Sequence, residues 1–220
     1  MARMARLVVP NYPHHVTQRG NRRQRTFFSD ADYRTYIRYM SAACIEFGVD
    51  VWAYCLMPNH IHLIVVPDNK DGLSNLFRDV HRRYTCHINK REGWTGHLWQ
   101  GRFHSSVMDE QHLIAAVRYV ELNPVRAGLC ISPTEWRWSS AIAHVRRHDN
   151  SLVKVAPLLK RIPDWQEFLA EDKAHNLEDA IRKCSRTGRP LGSDKFIDRL
   201  EAETRRRLRP GKPGRQPHIS

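Results

Sequence analysis

An α+β fold is what this sequence predicts, and three observations carry the prediction. Stretches alternating apolar and polar residues interleave with stretches of helical periodicity. The two kinds follow the order β-α-β-β-α-β-α between residues 14 and 145. An apolar share of 41% in 220 residues supports a real core but lies below the globular average, so part of the chain is expected to stay outside it.

Each element has its own local reason. His15 to Arg19 reads as a strand that runs into the basic turn Gly20-Asn21-Arg22-Arg23. Ser29 to Asp32 offers helix-capping chemistry, Tyr33, Tyr36, Ile37, Met40 and Cys44 follow at helical spacing, and Gly48 marks the stop. Val49 to Leu56 and His60 to Val66 are strands joined by the turn Met57-Pro58-Asn59. Leu73, Leu76, Phe77, Val80 and Tyr84 form one helical face, and Arg102 to Met108 returns to strand. A last helix runs from Asp109 to Asn123, where Pro124 is expected to end it. This order is that of a ferredoxin-like antiparallel sheet with helices on one face, leaving the other face open for function. Residues 7–148 are read as this core and residues 149–220 as a helical, basic C-terminal extension. Within the extension, helices are expected over Trp165–Ile181 and Asp194–Leu208, followed by a Pro/Gly-rich end too poor in apolar residues to order itself.

The charge is one-sided. Lys and Arg total 36 against 23 Asp and Glu, a net charge of +13, and the isoelectric point is about 10.0. Arg19, Arg22, Arg23 and Arg25 fall in an acid-free stretch, and Arg205, Arg206, Arg207 and Arg209 crowd the C-terminal region. Clusters of this kind neutralise phosphates and release counterions, so a nucleic acid is the expected partner. Arg102, near Trp94 and Trp99, joins the candidate DNA contacts, although packing is the better reading of both tryptophans. No apolar run approaches the ~18 residues of a membrane span, and the N-terminus lacks a leader-like apolar region. Five scattered cysteines without a C-x-x-C pair argue against disulfides and a cysteine-built metal site. A cytoplasmic protein at the nucleoid is the expectation.

His60-Ile61-His62 is the sharpest chemical feature. In a strand, residues i and i+2 share a face, so two imidazoles about 7 Å apart along the strand project together and can converge on a divalent ion. In the helix from Asp109, Leu113, Ile114, Val117 and Val120 form an apolar stripe, and Tyr119 and Asn123 lie together on the opposite side. Glu121 falls awkwardly near the apolar stripe. An imidazole pair, an outward tyrosine beside an amide, and heavy basic charge point to phosphoryl transfer with tyrosine as nucleophile. A phenol ionises near pH ~10, so it needs a metal and nearby dipoles to act at neutral pH.

Four motifs in order carry a family resemblance: Met57-Pro58-Asn59-His60-Ile61-His62-Leu63-Ile64, Trp99-Gln100-Gly101-Arg102-Phe103, Arg118 through Leu129, and Trp136-Arg137-Trp138-Ser139-Ser140. Over residues 7–145 the chain resembles the single-tyrosine transposases of the His-hydrophobe-His superfamily, in particular the REP-associated tyrosine transposases of bacteria. The resemblance implies a metal-dependent endonuclease and transposase that cleaves and rejoins single-stranded DNA at palindromic hairpins through a covalent 5′-phosphotyrosine. It implies Tyr119 as nucleophile, His60 and His62 as metal ligands, and Mg²⁺ or Mn²⁺ as the cofactor. The wider family carries a glutamine one turn after the tyrosine as a further ligand. Asn123, one methylene shorter, stands there. The wider family builds shared sites in dimers while this branch resembles monomers, so monomer and homodimer both stay open.

The competing reading is a non-catalytic nucleic-acid-binding module of the same fold. Such modules stack bases on strand aromatics, so imidazoles on the functional face discriminate against it. A zinc site built on His144 and His148 would lack cysteine partners.

Overall fold

The computed structural model describes residues 6–171, 179–181, 184 and 187–209. Strands β1 (His14–Arg19), β2 (Val49–Met57), β3 (His60–Pro67) and β4 (His104–Val107) form one antiparallel sheet in the order β2-β3-β1-β4. This is the ferredoxin-like order, with the two strands flanking the Met57–His60 turn on one side and β1 at the centre.

Helices α1 (Asp30–Phe47) and α2 (Gly72–Glu92) cover one face. The start of α1 is fixed by the Asp32 carboxylate, which accepts from the Ser29 N–H at 3.0 Å. Its end is fixed by Gly48 at φ 62, a left-handed conformation that disfavours any side chain. Helix α2 runs about two turns past the expected apolar face, because Ile88 extends the buried stripe before Gly93 closes it. Ile61, Leu63 and Val65 of β3 meet Tyr36, Met40, Leu76 and Phe77 in this layer. Its aromatic residues interlock: Phe27 stacks on Tyr33 at 4.4 Å, and Tyr33 on Trp138 at 4.6 Å. Trp99 is buried in the same cluster, whereas Trp94 is exposed and meets Phe28 edge-on.

The second face is not bare. Helix α3 (Glu110–Glu121) packs Leu113, Ala116, Val117 and Val120 onto Ala53, Cys55 and Ile64. Pro124 does not end the helical path. It sits in the first turn of a short helix α4 (Asn123–Arg126), where its missing N–H costs nothing. One-turn helices α5 (Ala141–Val145) and α6 (Ala156–Leu159) and the short α7 (Trp165–Ala170) follow.

The extension differs from expectation in two ways. The helix begun at Trp165 stops at Ala170, because Glu171 turns to extended backbone with ψ 130; residues 172–178 lie outside the described residues. The extension is also packed on the core. Leu152, Val153 and Val155 join the first core layer, and Val153 bridges Val51 of β2. Leu191 bridges Met108 and accepts from the Asp109 N–H. Helix α8 (Asp194–Thr204) then buries Phe196 and Leu200 against Leu7, Val9 and Val107. Burial of this kind contributes about 1.5–3 kcal/mol per large side chain. Helix α8 ends four residues short of Leu208, at Arg205 with φ 52. The Pro/Gly-rich end from Pro210 lies outside the described residues.

Candidate active site

Strand register brings the imidazoles together. Arg19 lies opposite His60 and Thr17 opposite His62. Cross-strand partners share a face, as do residues i and i+2, so His15, Thr17, Arg19, His60 and His62 all project towards the side that α3 partly covers. The rings of His60 and His62 lie 5.0 Å apart, nearly perpendicular. His15 and His62 are nearly coplanar at 9°, with His15 Nε2 and His62 Nδ1 3.0 Å apart. On the outer side, His60 Nδ1 donates to Asn59 Oδ1 at 2.6 Å, and the Asn123 side chain is hydrogen-bonded to the same imidazole.

Tyr119 closes the cluster from above. Its ring stands edge-on to His62 at 5.5 Å and to His15 at 6.1 Å. The Arg126 guanidinium carbon lies 4.6 Å from the Tyr119 ring centroid. Its Nη2 also donates to the Tyr119 carbonyl.

The surroundings keep these imidazoles neutral. Burial lowers His60 to about 4; Arg19 pushes the same way and the Asn123 bond opposes it. Burial lowers His15 to about 4 as well. His62 falls well below the usual histidine value, through burial first and then through His60, His15, Arg126 and Arg19. A neutral imidazole is the form that binds a metal. Among the described residues no group of three or more His, Cys, Asp or Glu side chains could hold a metal ion. The imidazole pair, with the Asn123 amide bonded to His60, is a donor set whose chemistry fits a divalent ion.

Helix α3 is held from its far side. Asp109 caps its first turn by accepting from the His112 N–H. Arg118 donates to the Phe168 carbonyl at 2.9 Å, pairs with Glu171 at 2.8 Å and stacks over the Phe168 ring. Glu121, fully buried, accepts from Ser140 Oγ at 2.5 Å, His144 Nδ1 at 2.7 Å and Trp165 Nε1 at 2.8 Å. That network explains its place in an apolar stripe. It also makes His144 a structural residue, while His148 bonds the Asp149 carbonyl. Residues on both sides of Tyr119 are thus pinned to α7 and its end.

The arginines divide into two groups. Arg19 reaches the site face, and Arg22, Arg23 and Arg25 are exposed around the turn beside Asn59. Arg22 and Arg23 both adopt left-handed backbone, at φ 51 and 62, a conformation costing about 1–2 kcal/mol for a residue with a Cβ. The second group lies along the β4 edge. Arg102 and Arg6 line one groove, Arg6 stacks on Phe103, and Arg206 donates to the Arg6 carbonyl. Arg205 and Arg207 are exposed there, whereas Arg209 is engaged by Asp194, Asp198 and Glu201.

Three residues of the site escape sequence reasoning. His15 carried a detectable signal, since it alternates in phase with Thr17 and Arg19, but its place beside His62 depends on register. Glu121 showed only as a carboxylate out of place near the apolar stripe, and Arg126 gave no signal of its own.

Comparison with known proteins bears on the family and the fold. Two curated relatives are a REP-associated tyrosine transposase of Escherichia coli, 24% identical over 102 residues, and a candidate member of the same group from Haemophilus influenzae, 25% identical over 108 residues. The matches cover 46% and 44% of this chain, and the chain spans 58% and 61% of the length of those relatives. The solved structure of a REP-associated tyrosine transposase bound to a REP hairpin superposes with a TM-score of 0.58 at 21% identity, over 67% of this chain and 87% of that one, and so shares the fold. Among the described residues, no helix is long and apolar enough to cross a membrane. Residues 8–123, from the first strand through the helix bearing Tyr119 to Asn123, match the IS200-like transposases, and the chain belongs to that family.

Proposed function

We propose that this protein is a metal-dependent endonuclease and transposase acting on single-stranded DNA at palindromic hairpins, with Tyr119 as nucleophile. The observation that carries the proposal is the placement of the Tyr119 ring 5.5 Å from His62, on the one sheet face where two strand imidazoles and an amide converge. Binding of hairpin DNA is carried over from the REP-associated structure described above.

In the proposed reaction the Tyr119 oxygen attacks the scissile phosphorus. A P–O bond to tyrosine forms, the bond from phosphorus to the 3′ oxygen breaks, the phenol loses its proton and the departing oxygen gains one. The product is a 5′-phosphotyrosine and a free 3′ hydroxyl, and the reverse sequence rejoins a strand. When bound by His60, His62 and Asn123, Mg²⁺ or Mn²⁺ would polarise the scissile phosphate and offset charge building on its oxygens. Arg126, its guanidinium carbon 4.6 Å from the ring centroid, would hold the tyrosine ring in place. Arg19, Arg22, Arg23 and Arg25 would bind the phosphates approaching the site, and Arg102, Arg205, Arg206 and Arg207 those running along the β4 edge. A purely binding module is the weaker reading, because this face bears imidazoles where a base-stacking platform needs Phe or Tyr on the strands.

The test is incubation of the full chain with end-labelled single-stranded hairpins and Mg²⁺. A denaturation-resistant protein–DNA adduct is expected, absent in Tyr119→Phe although that variant still binds the hairpin. Undiminished cleavage by Tyr119→Phe would exclude the tyrosine mechanism.

A further inference from the structure

We infer that His15 is a positioning residue that fixes the tautomer of His62 and so sets the affinity of the site for its divalent ion. The inference rests on the metal-dependent reading above and adds to it a residue outside the ligand set.

The geometry is that of a hydrogen bond within the ring plane. The His15 and His62 rings are tilted by only 9°, their centroids are 5.2 Å apart, and the nitrogens facing each other are His15 Nε2 and His62 Nδ1 at 3.0 Å. Two neutral imidazoles at this distance share one proton, so one nitrogen donates and the other accepts. For His62 to offer a lone pair from Nε2, its proton must sit on Nδ1 and be donated to His15 Nε2. His15 then carries its own proton on Nδ1. The neighbouring ligand is arranged alike: the His60 Nδ1–H donates to Asn59 Oδ1 at 2.6 Å. Both candidate ligands are thus bonded through Nδ1 and would present Nε2. Metal-binding histidines depend on such a partner for their other nitrogen, and losing it costs about 10–100-fold in metal affinity.

The surroundings make the role specific. His15 is 1% exposed, so water does not stand in for it. Its place on β1 is fixed by pairing with Ile64 on one side and Ser106 on the other, so the imidazole is held by two ladders. A residue present only to fill space would need no nitrogen aimed at a ligand's ring.

The experiment compares the full-length wild type with His15→Phe, His15→Gln and His60→Ala. Mn²⁺ affinity is measured by titration without DNA, and the His62 tautomer by ¹⁵N NMR of the imidazole nitrogens. The wild type should show His62 protonated on Nδ1. His15→Phe keeps a planar ring without nitrogens; it should weaken Mn²⁺ binding about 10–100-fold and shift His62 towards the Nε2–H form. His15→Gln, whose side-chain oxygen can accept, should recover much of the affinity, and it serves as the informative variant if His15→Phe fails to fold. Wild-type affinity in a folded His15→Phe, with binding lost in His60→Ala, would overturn the role of His15 and leave the metal site standing. Equal Mn²⁺ binding by wild type and His60→Ala would overturn both.

Discussion

Arg126 of α4 sets its guanidinium carbon 4.6 Å from the Tyr119 ring centroid, while one of its nitrogens reaches back to the Tyr119 carbonyl near the end of α3. One side chain thereby holds both the ring and the backbone of the candidate nucleophile. Arg126→Ala should slow cleavage about tenfold, the ~1.4 kcal/mol equivalent in barrier, and should lower kcat more than it raises KM. Arg126→Lys keeps the charge but loses the planar guanidinium and should recover only part of the rate. Single-turnover cleavage of a saturating hairpin reads both effects, and an unchanged rate in Arg126→Ala would remove this role.

The Glu121 network makes a stability prediction. Glu121→Ala leaves the His144 and Trp165 donors without their buried acceptor, whereas Ser140 Oγ can still donate to the Tyr54 carbonyl at 3.3 Å. Each buried group left unpaired costs about 1–3 kcal/mol, so a loss of at least about 2 kcal/mol in urea unfolding is expected. Trp165→Phe removes one donor and should cost about half as much. If the two variants cost the same, the network does not act as a unit.

Acid should destabilise the fold through two histidines remote from the site. His14 donates from Nδ1 to the Tyr12 carbonyl and accepts the Val9 N–H at Nε2, so it has no place for a second proton. Burial lowers it to about 4 and lowers His81, packed between Tyr36 and Trp99, to about 3. The unfolded chain takes up these protons near pH 6.5 and the folded chain resists, so stability falls as the pH drops below 6.5. For His14 the loss is complete near pH 4, for His81 near pH 3. Each group contributes about 1.4 kcal/mol per pH unit across its window. Melting temperatures between pH 7 and 4 should show a steeper fall in the wild type than in His14→Gln.

The basic β4 edge separates charge from packing. Arg205→Ala with Arg207→Ala removes two exposed cations and should flatten the salt dependence of hairpin binding by roughly 0.7–0.9 in log–log slope per lost phosphate contact, at constant melting temperature. Deleting residues 182–220 also removes Leu191, Phe196 and Leu200 from their buried places, so the melting temperature should fall as well. An unaltered salt slope in the double variant would make these arginines bystanders.

The parts of the fold that local pattern dictates were legible in the sequence. Period-two alternation and the Pro58-Asn59 turn mark β2 and β3, and the phase of α3 turns Tyr119 away from its apolar stripe. What depends on register or on distant partners was not legible. His15 stands beside His62 only because β1 pairs antiparallel with β3. Glu121 is satisfied by side chains 19, 23 and 44 residues away. Composition drew attention to the charge of the C-terminal region, whereas a few apolar residues, Leu191, Phe196 and Leu200, decide that it packs. Pro124 marked the end of α3 as expected, but the new turn of helix it opens was not legible.

The bracing of α3 by Arg118 and Glu121 is made entirely by residues of the same chain, and so is the convergence of Tyr119 on His60 and His62. If the site works in this arrangement, each copy would carry its own candidate nucleophile and its own imidazole pair. A mixture of Tyr119→Phe chains with His60→Ala chains, each lacking what the other retains, should stay as inactive as either alone, since exchanging the tyrosine between copies would require giving up the buried carboxylate bonds that anchor its helix.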